Sequence, residues 1–159
     1  MADKTTPVQE LKPRLLAALE AAERSELEAV LDRLWEKAPF AVLRPPQPAL
    51  LLVAACDPFA TPFYVGELLV TEAEVGLGDA TGAATVCGDT PEGALLAAAA
   101  EAVDRSGHPA ARGVLEAFLR HLAPRRRREL QETDHFAAAT RVRFDSMAGE
   151  RVDFGSLGK

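Results

Sequence analysis

Phe63-Tyr64-Val65-Gly66-Glu67-Leu68-Leu69-Val70-Thr71-Glu72-Ala73-Glu74-Val75, running on through Thr85-Val86-Cys87-Gly88, decides the fold. In an extended chain side chains alternate with period two, so Leu69, Thr71, Ala73, Val75 and Leu77 share one face. The other face carries Leu68 and Val70 and then Glu72 and Glu74, changing midway from apolar to charged. Gly76, Gly78 and Gly82, with Asp79 among them, provide the backbone freedom of a turn. The stretch predicts a long strand, a tight turn and a second strand.

The chain before it predicts helices first. Leu11, Leu15, Leu16 and Leu19 recur at helical spacing. Ser25 and Glu28 have the spacing of a capping box, and Leu27, Val30, Leu31, Leu34 and Trp35 make one stripe. Pro39 ends this helical hairpin. Phe40–Leu43 reads as a short strand closed by Arg44-Pro45-Pro46-Gln47-Pro48. Ala49-Leu50-Leu51-Leu52-Val53-Ala54-Ala55-Cys56 then reads as a strand buried on both faces. Downstream, Thr90 and Pro91 open an alanine-rich helix that Gly107 closes in the left-handed region. A further helix spans Pro109 to Leu122, and Pro124 separates it from another running from Arg125 to Thr140. This order predicts a two-layer α+β domain: an antiparallel sheet of three or four strands, an N-terminal helical hairpin and C-terminal helices. Residues 1–147 form one domain and 148–159 a loose tail.

Charge is unevenly spread. Residues 1–107 hold 8 basic and 17 acidic side chains, a net −9; residues 108–159 hold 10 and 7, a net +3. Arg125-Arg126-Arg127-Arg128 supplies most of the difference. On a helix these four spread around the circumference, because each residue turns ~100°. They read first as a solvated turn or a rim of ion pairs and second as a docking surface for acidic protein or phosphate, with a free-standing nucleic-acid-binding module as the alternative function. No apolar run approaches the ~20 residues of a membrane span, and Met1 to Thr6 show no secretory leader. Cys56 and Cys87 sit in apolar contexts and read as small buried hydrophobes. A cytoplasmic protein is expected.

Chemistry is sparse. Gly76-Leu77-Gly78 lacks the third glycine and helix start of a dinucleotide fingerprint. His108, His121 and His135 have no metal-ligand spacing. Asp134 and His135 are the pair a small independent enzyme would use, but neighbours on a helix point ~100° apart. Glu67, Glu72 and Glu74 offer paired carboxylates, with a solvated or subunit-contacting face as the simpler reading. No catalytic, metal or cofactor residue is assigned.

Three motifs in order carry a family resemblance. They are Val42-Leu43-Arg44-Pro45-Pro46, the run Phe63-x-x-Gly-Glu-x-x-Val-Thr-Glu-Ala-Glu-Val75 with Gly88-Asp89 before the alanine-rich helix, and Ala137-Ala138-Ala139-Thr140-Arg141-Val142-Arg143-Phe144-Asp145-Ser146-Met147. Together they resemble the G subunit of the bacterial carbon–phosphorus lyase system, PhnG. The chain departs from that pattern at Gly82-Ala83-Ala84, where relatives tend to carry an aromatic, at Gly88-Asp89, where they have an intervening arginine, and at Phe144-Asp145, where paired phenylalanines are common. The resemblance implies a non-catalytic structural subunit of a core complex with H-, I- and J-type partners. The resemblance further implies that the G-, H-, I- and L-type proteins together join a phosphonate to ATP at the ribose anomeric carbon and release adenine, giving a ribose 1-phosphonate 5-triphosphate, so ATP is used by the assembly while this chain alone binds no cofactor. It also implies that Arg141, Arg143 and Phe144 lie at a partner interface. Leucine-rich helix stripes are expected to be covered by an I-type subunit or by a helix-swapped second copy, with Pro45–Pro48 and Gly107–Pro109 as hinges.

Overall fold

The structure, a computed structural model, describes residues 10–141. Helix α1 (Leu11–Leu16) and a 3-10 turn at Leu19–Ala21 lead into α2 (Arg24–Lys37). Three strands follow, β1 (Phe40–Cys56), β2 (Pro62–Leu77) and β3 (Ala80–Cys87), and then α3 (Pro91–Ser106) and α4 (Pro109–Ala139). The strands form one antiparallel meander in the order β1-β2-β3. This is the expected α+β architecture, with three strands.

Phe40–Leu43 and Ala49–Cys56 are not separate strands. They belong to one 17-residue strand that runs through the proline-rich segment. Register shifts at Val42/Arg44 and Arg44/Gln47 absorb the irregularity. Prolines are tolerated because β1 is an edge strand, where a missing N–H leaves no ladder partner waiting. Pro45–Pro48 is therefore strand and not a hinge.

The period-two reading of β2 holds over its second half. Thr71, Ala73, Val75 and Leu77 are all buried, and α3 packs on β2 and β3. Ala94, Leu96 to Ala100, Ala102 and Val103 of α3 are fully buried. Small side chains let this helix approach closely, and at Gly82 of β3 the approach leaves no room for a side chain: an added Cβ would lie 2.1 Å from the Ala98 carbonyl oxygen. Helices α1, α2 and α4 pack chiefly on α3 and on one another.

Helix ends show where local rules apply and where tertiary contacts replace them. Gly107 closes α3 at φ 67°, its N–H donating to Val103 O at 2.9 Å. Thr90 is the residue before Pro91, as expected, but its own hydroxyl has no hydrogen-bond partner. The Thr71 hydroxyl, reaching from β2, accepts the Thr90 N–H at 3.1 Å and donates to Gly88 O at 2.7 Å. The capping box of α2 sits two residues earlier than Ser25–Glu28: the Glu26 carboxylate accepts the Glu23 N–H at 2.9 Å. His108 opens α4, its Nδ1 accepting the Ala111 N–H at 3.3 Å.

The break expected at Pro124 does not occur, and α4 continues to Ala139. Pro124 is exposed, so the carbonyl it deprives of a donor can bond to water. The next residue, Arg125, is tied down at once: its guanidinium donates to Ala21 O at 2.9 Å and to both carboxylate oxygens of Glu26 at 2.8 and 3.1 Å.

Candidate interaction surface

The leucine stripes of the helices are not surplus. Leu11, Leu15, Leu27, Val30, Leu34, Leu115, Phe118, Leu119 and Leu122 all join the chain's own core. Most of the uncovered apolar surface lies on the sheet, with Leu130 and Phe136 also exposed on α4. Strand β3 pairs with β2 only from Leu77 back to Val70, and at Gly88 the chain leaves for α3. Beyond Leu69, whose carbonyl still accepts the Gly88 N–H, β2 has β1 as its one strand neighbour among the described residues, and the two continue as a hairpin arm from Leu50↔Leu69 and Leu51↔Leu68 to Cys56↔Pro62.

Among the described residues, neither face of this arm is covered. Leu50 and Leu69 lie on the face that continues the helix side of the sheet, and Leu51 and Leu68 on the other; all four are exposed, Leu50 by 64%. Ala49–Cys56, expected to be buried on both faces, is thus exposed on both. At the tip, the Asp57 carboxylate accepts the N–H groups of Phe59 and Thr61, each at 2.9 Å. Phe59, held by this turn, is 88% exposed.

The cysteines stand at opposite ends of the arm and are exposed free thiols rather than buried hydrophobes. Cys56 pairs with Pro62 and Cys87 with Val70, which separates them by ~27 Å at ~3.4 Å per strand residue. A disulfide needs Cα atoms within ~7 Å.

The other candidate residues do not converge. Glu72 and Glu74 share a face as expected, but Arg44 lies across from them at 3.9 and 3.7 Å, which makes a loose surface ion cluster. Glu67 is on the arm, opposite Leu52. Asp134 and His135 are exposed on α4, and the His135 ring meets Phe136 edge-on rather than Asp134. Among the described residues no group of three or more His, Cys, Asp or Glu side chains is placed to hold a metal ion. Arg141 is exposed at the end of the described chain; Arg143 and Phe144 lie outside the described residues. Of the four arginines, Arg125 is committed to Glu26, while Arg127 and Arg128 are exposed.

That Glu26 site carries a measurable signature. Hydrogen bonds from Arg125, then from the Glu23 N–H and His121, hold the Glu26 carboxyl down to about 2 from its ordinary 4.5. A carboxylate with a depressed folded pKa contributes stability that is fully present above its unfolded value and lost as pH falls through the folded one. Glu26→Gln is therefore expected to lower the urea midpoint most above 4.5, with the gap from wild type closing as pH approaches about 2. A gap that stays constant with pH would remove this role for the carboxylate.

The fold and surface together define an α+β domain whose prominent exposed feature is an apolar hairpin arm. Its sequence matches the family model described as phosphonate metabolism protein PhnG over residues 12–149, and the chain belongs to that family. No curated protein matches it individually. The family places the chain in phosphonate metabolism. No helix among the described residues is long and apolar enough to cross a membrane.

Proposed function

We propose that this chain is a non-catalytic structural subunit of a carbon–phosphorus lyase core complex, working in the cytoplasm beside H-, I- and J-type subunits. In that role it supports the step that joins a phosphonate to ATP and releases adenine, with ATP held by the assembly. The observation that carries the reading is the two-faced apolar arm. Contiguous exposed apolar surface on a folded chain marks an interaction site, and obligate interfaces resemble a core divided between subunits. Displacement at an anomeric carbon needs a positioned phosphonate oxygen and neutralisation of the triphosphate; on this reading another subunit supplies both.

An omission experiment tests it. The G-, H-, I- and L-type proteins are combined with ATP and methylphosphonate, and both adenine and the ribose 1-phosphonate 5-triphosphate are measured. Leaving out this chain should abolish the coupled product, and this chain alone should form none. Coupled product from the isolated chain would overturn the structural role, and so would undiminished product without it.

A further inference from the structure

Among the described residues, parts of the sheet edge away from the arm are guarded by side chains or by prolines. Along β3, Arg105 donates to Thr81 O, the Lys12 ammonium donates to Ala83 O at 2.6 Å, and Glu101 accepts the Ala83 N–H at 3.0 Å. Along the first half of β1, Pro45, Pro46 and Pro48 have no N–H to offer. Side-chain cover and edge prolines are the usual devices against unwanted strand pairing. Neither device reaches Ala49–Cys56 or Phe63–Leu68.

The size and charge of the arm say what must cover it. Each face measures ~27 Å by ~10 Å, from ~3.4 Å per residue and ~4.8 Å between strands. One face, ~270 Å², falls well short of the ~800 Å² each partner contributes to a standard stable interface, while both faces with the edges and tip come near it. Residues 49–69 contain two charged side chains, Asp57 and Glu67, and the Asp57 carboxylate is used by the tip turn. The occupant is therefore apolar over most of the arm, with a hydrogen-bond donor or cation opposite the exposed Glu67, and it touches both faces.

Among the described residues a second copy does not offer that surface: Leu130 and Phe136, exposed on its α4, stand among charged side chains. Its open sheet face carries Arg44, Glu72 and Glu74, and its groove between α2 and α4 is rimmed by Glu26, Arg33 and His121. Two arms laid face to face would cover only one face of each. Resting on the subunit reading above, we propose that the arm is clasped on both faces in an apolar cleft of a different subunit of the phosphonate complex, with Phe59 as its anchor. The tip turn fixes the Phe59 backbone before docking, so less backbone freedom is lost when the ring enters a pocket, and aromatic residues are enriched among interface anchors.

Single-cysteine footprinting of the full chain tests this. In a Cys56→Ser/Cys87→Ser background, Leu50→Cys reports one face and Leu51→Cys the other. Each variant is co-expressed with the H-, I- and J-type subunits, and maleimide incorporation into this chain is timed by mass spectrometry. In the complex both positions should react ~10-fold or more slowly than in the isolated chain, as an open population below about a tenth requires. Phe59→Ser should abolish co-elution while its circular dichroism and unfolding midpoint match wild type. If the complex forms but either position reacts at the free rate, or Phe59→Ser still co-elutes fully, the clasp fails and the subunit reading stands. Protection that appears in the isolated chain as its concentration rises assigns the arm to a second copy and overturns the proposal. Failure of the wild-type chain to co-elute removes both readings.

Discussion

Gly82→Ala should lower the unfolding free energy by ~3 kcal/mol, the upper end for overpacking a closed core. The added methyl has nowhere to go. An ideal Cβ at Gly82 would lie 2.1 Å from Ala98 O and 2.5 Å from Ala102 N, with Glu101 Cβ at 3.0 Å. Ala98 O and Ala102 N are the acceptor and donor of one i→i−4 bond of α3, so the methyl would sit against that hydrogen bond. A side-chain contact can yield by changing rotamer, but two backbone atoms move only if the helix moves. Separating α3 from β3 would loosen a layer in which Ala97 to Ala100, Ala102 and Val103 are fully buried, and dispersion is lost steeply as gaps open. For a chain of this size ~3 kcal/mol corresponds to a melting temperature roughly 6–12 °C lower. Gly113→Ala is the matched control, because nothing lies within 4 Å of its Cβ position in α4; there the change should stabilise by ~0.5–1 kcal/mol through helix propensity. Urea unfolding of both variants decides it. A loss under about 1 kcal/mol at Gly82 would mean that the sheet and helix part easily.

Features set by neighbours along the chain were legible from sequence: the alternation of Thr71, Ala73 and Val75, the glycine end of α3 at Gly107 and the proline at its start. Features set by neighbours across the fold were not. A proline-rich stretch reads as a break until β1 is known to be an edge strand, and Pro124 reads as one until Arg125 is seen gripping Glu26 and Ala21. The capping box moved to Glu23–Glu26 for the same reason, since the carboxylate that closes it is also the partner of Arg125. The interaction surface was the least legible part. Apolar residues report that a segment requires cover, and Ala49–Cys56 has the composition of a strand buried in its own domain. The sequence signal that distinguishes it is a mismatch of lengths. β1 and β2 span 17 and 16 residues while β3 spans 8, so half of the long hairpin has no third strand beside it.

Asp104→Ala should cost about 2–4 kcal/mol, because one carboxylate joins three helices. From α3, Asp104 Oδ2 accepts the Leu11 N–H at 2.7 Å and the Lys12 N–H at 3.3 Å, capping α1 across 93 residues of sequence. Glu10, the residue before α1, makes no side-chain cap, so Asp104 does that work from outside the helix. Its Oδ1 accepts from Arg112 of α4 at 2.7 Å, with the two side chains only 15% and 21% exposed. Losing a helix cap costs ~1 kcal/mol, and Arg112, 21% exposed, keeps only the looser Glu116 carboxylate at 3.8 Å once Asp104 is gone, which adds to that loss. Asp104→Asn separates the two parts: it keeps an acceptor for α1 and removes the charge facing Arg112, so its loss should fall between zero and that of Asp104→Ala. Arg112→Ala alone should cost less than Asp104→Ala, since the cap on α1 survives it. A double-mutant cycle of Asp104→Ala with Arg112→Ala should show a coupling of ~1 kcal/mol or more, as residues sharing one contact do. If Asp104→Ala costs no more than Arg112→Ala, the carboxylate serves only the ion pair, and α1 is held by Leu11 and Leu15 in the core without it.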